Sequence, residues 1–329
     1  CTMKLLKKID HNILSLLGMY AVVLIAMAIL NPSTYYSTLN IKSWIYLFPE
    51  YGILTFGMML CMISGGIDLS LVGIANLVGV VASYMMVNIG GGKECGMGMI
   101  IGAIVVGLII GVLCGAFNGF LIGFLHIPPM LVTLCGLQLY TGIAMIITTG
   151  PGITGVPQSY INISNGTIAG IPHTLPLFII VTLVMSFLLK STTYGQKVYF
   201  LGSNEVASKY SGINNFKVIM TTYMISGFLG AISGILTSSH YGSGKSNYNT
   251  SYTLLSLLIV VLGGVHPDGG KGKVIGVTLA IILLQLISSA FSVLRIDTVI
   301  TDLVYGLILI AVLVITNIAA KRATKVKTK

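Results

Sequence analysis

The chain reads as an all-α, polytopic integral membrane protein of about ten transmembrane or partly re-entrant helices, each needing about 20 apolar residues to cross the hydrocarbon. Three observations predict this. Hydrophobic residues make up 55% of the 329 positions and charged residues only 8%, against about 25% in a soluble domain, so no water-facing surface can be assembled. The mean hydropathy is +0.96. Forty glycines stand among these few charges, which suits helices that pack by close backbone approach where lipid supplies no hydrophobic drive between them.

Apolar runs at 12–30, 43–63, 69–88, 97–125, 131–149, 174–190, 216–236, 253–264, 274–294 and 298–318 mark the expected elements. The first follows Lys4, Lys7 and Lys8, and its "AMA" at 26–28 lies inside the run, so it predicts a retained helix and not a cleaved signal. The run 97–125 is too long and glycine-rich for one straight rod. Leu254 to Gly264 is too short to cross alone and predicts a re-entrant or broken helix. Two polar stretches, 150–173 and 239–252, predict ordered loops rich in hydrogen-bonding groups.

Charge placement predicts orientation. Threading from a cytoplasmic N-terminus puts Lys4, Lys7, Lys8, Lys190, Lys197, Lys209, Lys217, Lys271, Lys273, Lys321, Arg322, Lys325, Lys327 and Lys329 on one side. Only Lys42, Lys93, Lys245 and Arg295 fall opposite, and the excess of Lys and Arg on cytoplasmic loops then places both termini in the cytoplasm. The net charge of +10 is spread over these short loops. It therefore points to no nucleic-acid partner.

Catalytic signatures are lacking. "GSGKS" at 242–246 has Ser239 where a phosphate-binding loop needs glycine. The five histidines form no i, i+4 pair, and the five cysteines no CxxC spacing, so no metal site is expected. Neither paired carboxylates nor a nucleophile elbow occurs.

Between two apolar runs lies "YGQKVYFLGSNEVASKYSGINNFK" (194–217). Ser203 is the expected N-cap, Glu205 belongs to the first turn beside Asn204, Lys209 follows Glu205 by four, and Gly212 stops the helix. These predict a helix of about two turns, roughly 12 Å long. Val206, Tyr210 and Ile213 at i, i+4 and i+7 make one apolar stripe. Such a stripe can rest on lipid or on the protein's own helix ends, or dock into a partner, and the pattern alone does not separate these.

Inside the apolar region, Gly65 and Gly66 precede Asp68, and Gly263 and Gly264 interrupt the other half. Glycine-broken segments in both halves are what transporters with a central pathway use. Asp68 reads as a cap on the free N–H groups of the third helix, or as a group that gates or contacts solute. Asn76, Asn118, Gln138 and Gln285 can line a polar path or join helices by hydrogen bonds.

The stretches "SGGIDLS" (64–70), "FNGFLIGFLHIPPMLVTL" (117–134), "TTYGQKVYFLGSNEVASKYSGI" (192–213) and "VVLGGVHPDGGKGKVIG" (260–276) occur together in this order. In them the chain resembles the permease subunits of bacterial ABC importers for ribose, xylose, arabinose and related sugars, especially the branch that imports autoinducer-2. It departs in "SYTLLSLL" (251–258), where the family often carries an acidic residue, and in the Asp-Gly turn of "VHPDG".

The resemblance implies one transmembrane permease domain over 1–329, with a coupling segment at 191–215 and a basic cytoplasmic tail at 319–329, in the bacterial inner membrane. It implies that the segment from Asn204 to Gly212 inserts into a separate ATPase subunit, which alone uses ATP and magnesium. An extracytoplasmic binding protein and a second, identical or homologous permease are the other implied partners. The rival reading is a secondary transporter driven by an ion gradient, with Asp68 as the one relay within the spans and Glu50 and Asp302 near the interfaces.

Overall fold

The computed structural model of the chain describes residues 11–311 and 314, apart from 169, 298 and 302. Lys4, Lys7 and Lys8, Asp302 and the basic tail at 319–329 lie outside the described residues.

In chain order the helices are α1 (His11–Leu30), α2 (Pro32–Tyr35), α3 (Thr38–Ile63), α4 (Ser70–Tyr84), α5 (Met97–Gly123), α6 (Pro129–Thr148), α7 (Gln158–Asn165), α8 (Thr174–Ser191), α9 (Thr193–Ser203), α10 (Glu205–Tyr210), α11 (Asn215–Tyr241), α12 (Tyr252–Leu262) and α13 (Val274–Val293). A further apolar helix, α14, runs over Val299–Ala311. A π-turn, Met85–Ile89, extends α4. Eight of these elements are long and apolar enough to cross a membrane: α1, α3, α4 with its π-turn, α5, α6, α8, α11 and α13. The 11-residue α12 is too short, as the sequence predicts. The chain is an all-α polytopic membrane protein.

The run 97–125 forms one continuous helix, Met97–Gly123. Its glycines do not break it; they form a groove for α11. A side chain added at Gly111 would strike the backbone of Gly227, and one at Gly115 the carbonyl of Tyr223. Small residues at four-residue spacing thus let two backbones touch.

At the centre α3 is buried from Phe48 to Ile63. Its Ile53, Leu54, Phe56 and Met59 join Leu258 and Ile259 of α12 and Ile281 and Leu284 of α13 in one core. Pro49 lies inside α3 and cannot bond the carbonyl one turn earlier. That carbonyl, of Ile45, accepts from the Thr174 hydroxyl of α8 at 3.2 Å instead. Around this centre, Val22 and Ile29 of α1, Ile101 and Leu113 of α5 and Phe187 of α8 are exposed on the outer surface of the chain.

The two polar stretches meet. Strand β1 (Ile153–Thr154) pairs antiparallel with β4 (Ser243–Gly244), and β2 (Thr167–Ile168) pairs with β3 (Ile171–Pro172). Between them α7, absent from the sequence expectation of loops, packs on α11. Its Tyr160 hydroxyl donates to the Ile235 carbonyl at 3.1 Å, and Ser164 Oγ donates to that of Leu236 at 2.8 Å.

Candidate functional site: a glycine joint beside an exposed helix

Three helices end by the same device. After α3, the Gly66 N–H donates to the Cys61 carbonyl and that of Gly65 to Met62, both at 3.0 Å, with Gly65 at φ 91°. After α12, Val265 and Gly264 repeat the pair on Val260 and Val261, with Gly264 at φ 85°. After α10, Ile213 and Gly212 do so on Ser208 and Lys209, with Gly212 at φ 79°. In each, a left-handed residue satisfies carbonyls the helix leaves open, and glycine adopts it without a Cβ penalty.

The first break and the loop that follows the second, Gly269–Gly272, converge on the end of α9. The Gly270 N–H donates to the Ile63 carbonyl at 2.9 Å. A Cβ on Gly202 would strike that same carbonyl and stand 2.7 Å from Gly270 N; one on Gly269 would stand 2.9 Å from Gly65 N. Tyr199 of α9 donates its hydroxyl to the Gly272 carbonyl at 2.7 Å. Half-buried Tyr199, whose phenol burial raises above the usual range, is thereby held as a neutral donor. Gly65, Gly202, Gly269 and Gly270 form a joint with backbone on backbone, and α9 is seated in it.

Beyond the joint the chain turns into α10. The expected cap is corrected: Ser203 closes α9, donating to the Tyr199 carbonyl at 2.8 Å, and Asn204 caps α10 by accepting from Ala207 N at 2.9 Å. The helix has six residues, about 9 Å at 1.5 Å per residue, shorter than predicted. Asn215 clamps it to α11, donating to the Glu205 carbonyl at 2.9 Å and accepting from Ser208 Oγ at 2.8 Å. The expected stripe divides. Ile213 packs against the core, whereas Val206 is 64% and Tyr210 89% exposed. Lys209 is exposed beside them.

Asp68 sits at the start of α4, fully buried. It accepts from Ser70 N at 3.1 Å, from Ser70 Oγ at 2.5 Å and from Ser226 Oγ of α11 at 2.7 Å. Asn118 of α5 donates to Ser70 Oγ at 2.7 Å and accepts from the Tyr140 hydroxyl of α6 at 2.9 Å. One carboxylate therefore organises α4, α5, α6 and α11 where the chain re-enters after the break, which is how a buried charge is accommodated.

The four polar residues considered for a path are not brought together. Asn118 belongs to the Asp68 network. Asn76 accepts from the N–H and side-chain amide of Asn249, each at 3.0 Å, and Gln285 accepts from the Tyr51 hydroxyl at 2.9 Å. Gln138 is exposed on α6. Glu50, expected near an interface, is fully buried in α3, with Oε1 2.7 Å from His240 Nδ1 of α11. Gly263 has an ordinary φ of −67° and is glycine for packing, since a Cβ there would stand 2.7 Å from Val277 Cα.

Sequence reasoning missed Gly202, Gly269 and Gly270. "GGKGK" carried the signal, but its lysines explained it by topology alone. A cavity of about 390 Å³ opens beside the joint, lined among others by Gly66, His126, Glu205, Tyr223 and Asp268.

The family model described as "Branched-chain amino acid transport system / permease component" matches residues 40–313. The chain is 31% identical over 300 residues to the ribose import permease protein RbsC of Bacillus subtilis (strain 168), covering 90% of each protein. It is 30% identical to the autoinducer 2 import system permease protein LsrD of Photorhabdus temperata over 82% of this chain and 81% of that one. It is also 30% identical to the L-arabinose transport system permease protein AraH of Escherichia coli (strain K12), over 91% and 88%. No solved structure matches. With most of its length matched, and with full-length likeness to import permeases, the chain belongs to this family of transport permease components and is not an enzyme.

Proposed function

We propose that the chain is the membrane-spanning subunit of an ATP-driven importer for a sugar or sugar-like solute such as a pentose, a hexose or autoinducer-2. Solute arrives from an extracytoplasmic binding protein, two permeases enclose the path, and ATP with magnesium is used by a separate subunit. The α10 end faces the cytoplasm of a bacterial cell, in keeping with the lysines at 190, 197, 209, 217, 271 and 273. The residues from Ser203 to Ile213 then couple permease to ATPase. All of 1–329 serves as one permease domain.

The observation that carries this reading is the pairing of an exposed apolar surface, Val206 and Tyr210, with a rigid seat. Val206 and Tyr210 together offer a partner's groove an apolar anchor on one face of a short helix. Because α9 contacts the end of α3 and the loop after α12 by backbone, movement of α10 is carried to these two places without slack. ATPase closure would thus reopen the path by a hinge or shear motion, and Asp68 keeps the re-entering α4 in place while this happens.

Cysteine placed by Val206→Cys or Tyr210→Cys tests the reading. During ATP-driven uptake, a short bifunctional reagent should link either position to the ATPase subunit. Links to lipid or to the chain's own helices alone would overturn it.

A further inference from the structure

Gln138 is the tenth of the twenty residues of α6 (Pro129–Thr148), at mid-span, and its side chain is exposed. Among the described residues of the eight spans no other amide or charged side chain is exposed away from the ends of its helix. Nor does its amide have a hydrogen-bond partner among the described residues. The exposed faces of α5 and α8 carry Ile109, Leu113, Leu183 and Val184 at comparable depth. Hydrocarbon offers an amide neither donor nor acceptor, and polar groups within spans face protein or water. Something other than lipid therefore covers this side of α6.

The exposed residues around the amide have the spacing of a helix seam. Leu131, Cys135, Gln138, Gly142 and Met145 follow one another at steps of four, three, four and three, and each is exposed. Alternating steps of four and three let two helices pack side chain into gap at a shallow left-handed crossing, the usual arrangement in membranes. A passage for solute asks for no such period. A Cβ added at Gly142 would meet nothing within 4 Å, so a neighbouring helix can come close there. The face carries no charge, and an amide both donates and accepts, so the face complements itself. Two copies inserted in the same direction, related by a two-fold axis along the membrane normal, bring the Gln138 of each together.

We propose that the Leu131–Met145 face of α6 is the surface on which a second copy of this chain docks, the two Gln138 amides bonding across the axis. This rests on the reading that two permeases enclose the path, and goes beyond it by making the partner an identical chain and the contact α6 on α6. Behind the seam the Thr133 hydroxyl donates to the Ile67 carbonyl at 3.0 Å, and that of Tyr140 to Asn118 Oδ1 at 2.9 Å. The seam is thereby tied to the turn that follows the Gly65–Gly66 break and to the Asp68 network, so movement at the joint reaches the contact between the copies.

Cys135 is exposed on this face, whereas Cys61 and Cys95 are buried, and it serves as a native reporter. Membranes holding the full chain with its ATPase subunit are oxidised with copper phenanthroline, and linked chains are read on non-reducing gels. The parent should form a linked dimer, Cys135→Ala should not, and Gly142→Cys in the Cys135→Ala chain should restore it. Ile143→Cys, on the flank of the seam, and Ile109→Cys, on α5, should give no link in that background. Förster transfer between labelled chains diluted into lipid vesicles should show association weakened about 3–20-fold in Gln138→Leu. A parent that is dimeric by native mass but unlinked at 135 and 142, a link at 109, or solute that shields Cys135 from maleimide where no link forms would overturn this face and leave the importer reading intact. Unchanged association in Gln138→Leu would overturn the amide pair, and linkage only to a different permease would overturn the identical partner. A linked dimer without ATP-driven uptake would refute the importer reading and leave the face standing.

Discussion

The two ends of the molecule are held by different mixtures of backbone and side-chain contact. Where α9 enters its seat, helices meet through atoms that are missing: at Gly202, Gly269 and Gly270 any Cβ would overlap neighbouring backbone. At the other end, one glycine contact of this kind, Gly234 on the Ala75 carbonyl, is joined by many side-chain ties, with Tyr160 and Ser164 on α11, Asn249 on Asn76, and Glu50 against His240. A backbone joint has no rotamers to absorb displacement, so it transmits motion. A web of side-chain bonds can exchange partners, so it can open and close around a passing solute without losing the fold.

This contrast can be broken in order of expected effect. His240→Ala should do most damage, about 3–5 kcal/mol, because it strands the buried Glu50 carboxylate with its charge uncompensated. Thermal unfolding in detergent measures it; a loss below about 1 kcal/mol would mean that the pair contributes no more than an ordinary hydrogen bond. Gly202→Ala should cost about 1–3 kcal/mol through overpacking, read in the same assay, and an unchanged midpoint would show the joint to be loose. Tyr160→Phe removes a hydroxyl that bonds Ile235 O and Ser238 Oγ and should cost about 0.5–1.5 kcal/mol. Tyr210→Ala, on an exposed position, should shift stability by no more than about 0.5 kcal/mol while abolishing uptake; preserved uptake would detach α10 from coupling.

How much of this was legible depended on range. Spans such as α3 and α13 follow from apolar runs of membrane length, and the shortness of α12 from its eleven residues. Gly65 and Gly264 were visible because paired glycines interrupt such runs. By contrast α7 and α9 carry polar sequences whose periodicity competes poorly with their loop-like composition, although Thr192 caps α9 through Gly195 N at 3.1 Å. The partners of Gly202 are about 140 residues away at Ile63 and about 70 away at Gly270, so nothing local marks it; such contacts are set by how helices cross. Ser203 lost the cap to Asn204 because its hydroxyl bonds back to the Tyr199 carbonyl inside α9, a local alternative open to serine. The Asp68 expectation had a local component, the N–H of Ser70, and a distant one, Ser226, which only the fold supplies.

The most direct test of the joint is the transport yield of the reconstituted importer, measured as solute taken up per ATP hydrolysed for the parent and for Gly202→Ala. With the seat of α9 forced apart, hydrolysis should continue while uptake per ATP collapses. An unchanged ratio would contradict the joint as the element that carries force into the membrane.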